Sequence, residues 1–296
     1  MKIGLIDVDG HNFPNLPLMK LSAYHKKQGD ETDFYNPWEG LVEPYDIVYM
    51  SKVFSFTPDY ANPIYAKKVY RGGSGYCIDL EDGKEVFHAE RDKNLPDEIE
   101  HIYPDYELYR EQRSIGFLTR GCPRGCGFCH VASKEGKCSY KVADLDEFWK
   151  GQKEITLCDP NLLACSEHMD LLQQIIDSKA RVDFNQGLDV RMITDNNLEL
   201  LRQIKLKAIH FAYDRYQDKK IVEPRLKALK EATGYKRGKV FVYILCNYDT
   251  TLEQDLERIA FVRSLDFSPY VTVYDLAHAD PIYKKLQRWC NNYYIF

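Results

Sequence analysis

Cys122-Pro123-Arg124-Gly125-Cys126-Gly127-Phe128-Cys129 gathers three thiols into one short loop at a C-x3-C-x2-C spacing. Thiolates this close together are soft metal ligands, and three rather than four leave one coordination position of a bound metal centre open. Gly121, Gly125 and Gly127 suit a backbone that wraps around a bulky inorganic group, because none carries a Cβ to clash. On spacing alone two chemistries stay open. An iron–sulfur cluster with an open iron needs only the three thiolates. A structural zinc ion wants a fourth ligand, for which His130 and Cys138 are the nearby donors.

The run Ser114-Ile115-Gly116-Phe117-Leu118-Thr119-Arg120 before the loop is strand-like, and from there the chain alternates between two periodicities. Strands are expected at 115–119, 154–158, 181–184, 208–212, 240–246 and 270–274. Amphipathic helices are expected at 142–150, 167–178, 196–204, 221–232 and 252–265. Asp195 and Thr250 or Thr251 read as helix N-caps, since short polar side chains there satisfy free backbone N–H groups. Strands each followed by a helix imply parallel pairing through right-handed crossovers, in an open doubly wound sheet or a partial barrel.

Either arrangement carries its chemistry at the C-terminal ends of the strands. Those ends are polar here: Cys158-Asp159-Pro160-Asn161, then Asn185-Gln186-Gly187-Leu188-Asp189-Val190-Arg191, then Tyr213-Asp214-Arg215 and Leu245-Cys246-Asn247-Tyr248. Asp189 and Arg191 also suit a turn closed by their own ion pair. Outside the loop stand Cys77, Cys138, Cys158, Cys165, Cys246 and Cys290, with no tight C-x2-C grouping to hold a second cluster. Cys158 and Cys246 fall at expected strand ends and are the candidate catalytic thiols, against the plainer reading of small buried residues.

The first 94 residues read as a small Rossmann- or flavodoxin-like unit. Strands are expected at 1–8, 31–35, 45–51 and 67–71, with a helix at 16–27 and glycines Gly72, Gly73 and Gly75 after the fourth strand. Residues 95–112, with two prolines and many polar side chains, read as a linker, leaving 113–296 as the second domain. A net charge of −5 and a sequence pI near 5.9 do not indicate a nucleic-acid partner. No stretch approaches the apolar length of a membrane helix, and no signal peptide is read. Nine cysteines without a disulfide ladder point to a reducing, cytoplasmic setting. The 22 tyrosines are read as half-buried packing.

The loop resembles the C-x3-C-x-aromatic-C motif of the radical S-adenosylmethionine (SAM) superfamily, with Phe128 in the aromatic position. The resemblance implies an α/β chain whose residues 113–296 form a partial (β/α)6 barrel. It implies a 4Fe–4S cluster on Cys122, Cys126 and Cys129, whose fourth iron is chelated by SAM. The activity implied is reductive cleavage of SAM to methionine and a 5′-deoxyadenosyl radical, acting on an unknown substrate and fed by a reductant such as flavodoxin or ferredoxin. Phe128 would shield the adenine, and Leu245 or Ile244 would wall it. Asp159, Asn161, Gln186 and Arg191 would be polar contacts to SAM.

The chain departs from the superfamily pattern at the second strand, where Asp159-Pro160-Asn161 replaces a Gly-Gly-Glu-like element, and at the fifth, which lacks the usual glycines. The N-terminal unit resembles the cobalamin-binding-type domain found ahead of many such barrels. Asp9 and His11 match Asp-x-His-x-x-Gly, but Pro14 replaces the glycine. Cobalamin is therefore not expected to be ligated through His11. A cobalamin-dependent radical SAM methylase and a non-catalytic iron–sulfur redox or metal-binding module are the rival readings.

Overall fold

A computed structural model describes residues 1–10, 12–81 and 84–292, without the side chain of Lys84. The chain is mixed α/β with parallel sheets and packs into two compact units. The first comprises Met1–Gly116, Arg124–Glu135 and Asp146–Gln152. The second comprises Phe117–Pro123, Gly136–Leu145 and the chain from Lys153 onward.

The first unit is built on strands β1 (Lys2–Asp7), β2 (Glu31–Phe34), β3 (Tyr45–Ser51) and β4 (Ala66–Gly72), parallel in the order β2-β1-β3-β4. Its two-residue side-chain period sends Ile3 and Leu5 to one face, against Leu18 and Leu21, and Ile6 to the other, against Val48 and Met50. Helix Leu16–Lys27 starts where the Asn15 side chain accepts from Leu18 N and Pro17 occupies the first turn. Elements not expected from the sequence include helix Pro37–Val42 and the hairpin of β5 (Ile78–Glu81) and β6 (Lys84–Phe87). Residues 95–112 pack into this unit. Ile99 is buried beside Leu21, Tyr106 Oη donates to Phe148 O at 2.7 Å, and Tyr109 Oη donates to Asp7 at 2.7 Å. The short strand β7 (Ser114–Gly116) also belongs here.

The second unit opens with a two-stranded antiparallel ribbon of β8 (Thr119–Arg120) and β9 (Tyr140–Lys141). Its parallel strands are β10 (Glu154–Leu157), β11 (Arg181–Leu188), β12 (Leu206–Ala212), β13 (Val240–Cys246) and β14 (Ser268–Val273), paired in sequence order. Val182, Phe184, Ile209, Phe211, Val242, Ile244 and Val271 are buried, as are Leu171, Ile175, Leu226, Leu229, Ile259 and Val262 of the intervening helices. Those helices span His168–Ser178, Asp195–Leu201, Lys219–Thr233, Leu252–Ser264 and Pro281–Cys290.

Three local expectations are corrected. The strand expected at 115–119 is split into β7 and β8, because Leu118 N and Thr119 N donate to the Asp159 carboxylate instead of a ladder. The helix expected at 142–150 is absent: Val142 N and Ala143 N donate to Leu118 O, leaving one 3₁₀ turn at Leu145–Glu147. The cap expected at Asp195 is Thr194, in a capping box with Asn197, while Thr251 caps the next-but-one helix with Gln254. No helix of the described residues is long and apolar enough to cross a membrane.

Candidate functional site

The first thiol of the loop is held at several points within the second unit. Cys122 N donates to Gly136 O at 3.1 Å, just beyond the ribbon in which Thr119 pairs Lys141 and Arg120 pairs Tyr140. Gly121 lies at φ +78°, a turn that brings Cys122 off the end of β8. Beneath the ribbon, Asp159 Oδ1 accepts from Leu118 N at 3.0 Å, from Thr119 N and from Thr119 Oγ1 at 2.7 Å. Two residues on, Asn161 Nδ2 donates to Cys122 Sγ at 3.4 Å, and the Asn161 carbonyl accepts from Ser139 Oγ at 2.9 Å. Cys126 and Cys129 are joined by Cys129 N donating to Cys126 O at 3.0 Å, and both belong to the first unit. Cys122, Cys126 and Phe128 are half-buried and Cys129 is exposed.

This donor set fits a thiolate-bound iron–sulfur group. No disulfide forms among the described residues. Of the two extra donors that a zinc site would draw on, His130 has Nδ1 on Glu85 Oε2 at 2.5 Å and Cys138 is exposed. Among the described residues, the three metal-capable side chains whose donor atoms lie within 4.8 Å of one another are Asp79, Glu81 and His88 of the β5–β6 hairpin, not the thiols.

Beyond the loop, the C-terminal ends of β10, β11 and β12 lead into Asp159, Asp189 and Asp214. Asp159 is 3% exposed; burial pushes its carboxyl up to about 6, against hydrogen bonds from Thr119 and Leu118 that pull it down. Its Oδ2 and the Oδ1 of Asn161 are buried with no hydrogen-bond partner among the described residues. Burial likewise raises Asp214 to about 6, and its Oδ1 accepts from Leu245 N at 3.0 Å.

The other expected site residues divide sharply. Arg191 is clamped between Asp189, at 2.7 Å from Nε, and Asp218, at 2.6 Å from Nη1. Gln186 is exposed on β11. Leu245 is 9% exposed, with its N–H on Asp214 and its carbonyl on Arg258, so only its alkyl group is left to offer. Cys158 is buried. Cys246 is fully buried beside Asp255 and Cys290; burial, then the Asp255 charge, raises its thiol above the ordinary range.

Sequence reasoning missed four residues. Arg258 and Asp255 form a fully buried ion pair, and Arg258 also donates to the carbonyls of Tyr213 and Leu245, tying the ends of β12 and β13. Their i,i+3 spacing looks like any surface pair in a helix. His210 and Tyr243 are the others. β11 shifts register against β12 between Phe184 and Leu188. The carbonyls this bulge frees are taken by side chains: His210 Nδ1 donates to Phe184 O at 2.8 Å, and Tyr243 Oη donates to Asn185 O at 3.1 Å. Burial lowers the His210 pKa, so the ring is neutral with Nδ1 protonated and Nε2 left as an acceptor.

No family model matches the chain, and no curated protein does. Solved structures that share part of its backbone path include two of one protein. Streptococcus suis SuiB bound to S-adenosylmethionine matches at a TM-score of 0.40 and 12% identity, over 55% of this chain and 41% of that one. SuiB bound to precursor peptide SuiA matches at 0.40 and 12%, over 62% and 47%. The chain therefore spans less than half the length of either. A likeness at this level assigns neither family nor ligand.

Proposed function

We propose that this chain is a radical SAM enzyme acting on a substrate still to be identified. The observation that carries the reading is the loop Cys122-x3-Cys126-x-Phe128-Cys129, with its first sulfur hydrogen-bonded by Asn161. Cys122, Cys126 and Cys129 would hold a 4Fe–4S cluster, which supplies an electron from a flavodoxin- or ferredoxin-like donor for cleaving SAM to methionine and a 5′-deoxyadenosyl radical. The second domain is proposed to be the partial barrel of that superfamily.

The roles of the remaining residues follow from what each has left to offer. The unpartnered Oδ2 of Asp159 suits a cationic ligand group such as the SAM ammonium. Asp159→Asn is therefore expected to weaken SAM binding by about 1.5–3 kcal/mol, the range for a charge-assisted hydrogen bond, measured by calorimetry. Arg191 can meet a SAM carboxylate only by giving up Asp189 or Asp218, which favours Gln186, exposed on β11, as the polar contact. Leu245 offers an apolar wall.

Anaerobic reconstitution with iron and sulfide tests the reading. About four irons per chain are expected, with an electron paramagnetic resonance spectrum that changes on adding SAM and reductant-dependent release of 5′-deoxyadenosine. Cys126→Ala should abolish cluster uptake. Stoichiometric zinc with no iron uptake overturns the proposal.

The N-terminal unit is proposed as a cobalamin-type fold that does not ligate cobalt. His11 lies outside the described residues. Asp9 is already committed, accepting from Thr57 Oγ1 at 2.6 Å and from Val53 N and Phe54 N, and Pro14 is buried with no N–H to give. Protein purified from cobalamin-supplemented medium should carry no corrinoid; stoichiometric corrinoid lost on His11→Ala would instead favour the methylase.

A further inference from the structure

We infer that Asn161 is a positioning residue for the cluster: its side-chain amide fixes the Cys122 sulfur and sets the reduction potential of the group bound there. The inference rests on the radical SAM reading, but its basis is a contact of this chain's own. Asn161 Nδ2 lies 3.4 Å from Cys122 Sγ, and Asn161 is 2% exposed. A metal-bound cysteine sulfur carries no proton and can only accept. The amide therefore has to present its NH2 to the sulfur, and the cost is visible on its other end, where Oδ1 is buried without a partner among the described residues.

The support for Asn161 is equally specific. It sits two residues beyond Asp159, whose three accepted hydrogen bonds pin residues 118–119. Its own carbonyl is held by Ser139 Oγ and by Ala164 N at 3.2 Å. Ser139 adjoins β9, and the ribbon that β9 makes with β8 leads into Cys122. The amide and the sulfur it serves are thus fixed from opposite ends of one hydrogen-bonded frame. An N–H donor to a cluster sulfur draws electron density from it and favours the reduced state, in which the sulfur is more negative.

The test is protein-film or mediator-titrated potentiometry on reconstituted wild type and Asn161→Leu, with Asn161→Ala as a second variant. Asn161→Leu keeps the side chain's approximate shape, removes both N–H donors and adds no charge. With iron and sulfide loaded to the wild-type level, the midpoint is expected to move to more negative potential. The loss of one hydrogen bond corresponds to about a tenfold change in the one-electron equilibrium, about 59 mV. An exchangeable proton coupled to the reduced cluster in pulsed electron–nuclear double resonance should disappear in both variants. A merely structural role would move neither readout at full loading. An unchanged midpoint and an unchanged proton coupling in a fully loaded variant overturn the inference alone. A wild-type chain that takes up no iron and sulfide removes the radical SAM reading and this inference together.

Discussion

Asp159 shows how much a single residue can hold that its sequence neighbourhood does not reveal. The three cysteines were readable because their message is local: spacing, glycines and an aromatic in eight residues. The role of Asp159 is written about forty positions away, in the amides of Leu118 and Thr119. Its titration gives a testable sign. The folded carboxyl is raised to about 6 from an ordinary value of 3.8, with burial as the cause. Between those values the native state keeps a proton that the unfolded chain has released. The contribution of Asp159 to stability therefore falls as pH rises from about 4 to 6 and is flat above, a difference of about 3 kcal/mol. Urea unfolding of cofactor-free protein from pH 4 to 7 should show wild type losing that much relative to Asp159→Asn. Parallel stability curves would refute it.

At the scale of elements, strand β13 was read residue for residue, because a run of Val, Phe, Tyr and Ile bounded by polar residues has one interpretation. β11 was not. The polar run Asn185-Gln186-Gly187 looked like a loop, yet the strand continues to Leu188 because His210 and Tyr243 supply the donors that the ladder lacks at the bulge. Bulges recur beside binding sites, where they re-aim a side chain, and this one projects Gln186. Gly187 makes it possible with φ +105°; an added Cβ would meet only ordinary contacts, at 3.6 Å or more, so the penalty of Gly187→Ala is conformational. A loss of about 1–2 kcal/mol is expected in chemical denaturation. Tyr243→Phe should cost about 1 kcal/mol by leaving Asn185 O short of a donor. Wild-type stability in both variants would mean that the bulge is not locked by these groups.

For the whole molecule, composition and alternation were enough to reveal a mixed α/β chain with parallel sheets, but not how the chain threads its two compact units. The chain passes from the first unit to the second at Phe117, back at Arg124, over again at Gly136, back at Asp146 and over for good at Lys153. Such weaving leaves no trace in local periodicity, since each short return is stabilised by distant partners. Phe148 O takes Tyr106, Glu147 takes His101 at 2.7 Å, and Gln152 donates to Tyr103. A fragment of residues 1–112 lacks all three, and is expected to be about 2–4 kcal/mol less stable than the same unit in the full chain. Hydrogen exchange should find residues 95–112 protected in the full chain and open in the fragment; equal protection would show that the returns are dispensable.

The same threading bears on how such a protein can be recombined. A crossover placed near residue 113 would supply Tyr106 from one parent and Phe148 from the other, and a second crossover at 153 would part Asp159 from the Leu118 and Thr119 amides it holds. A graft that respects these ties must carry 95–161 as one piece, with the metal-ligand loop inside it.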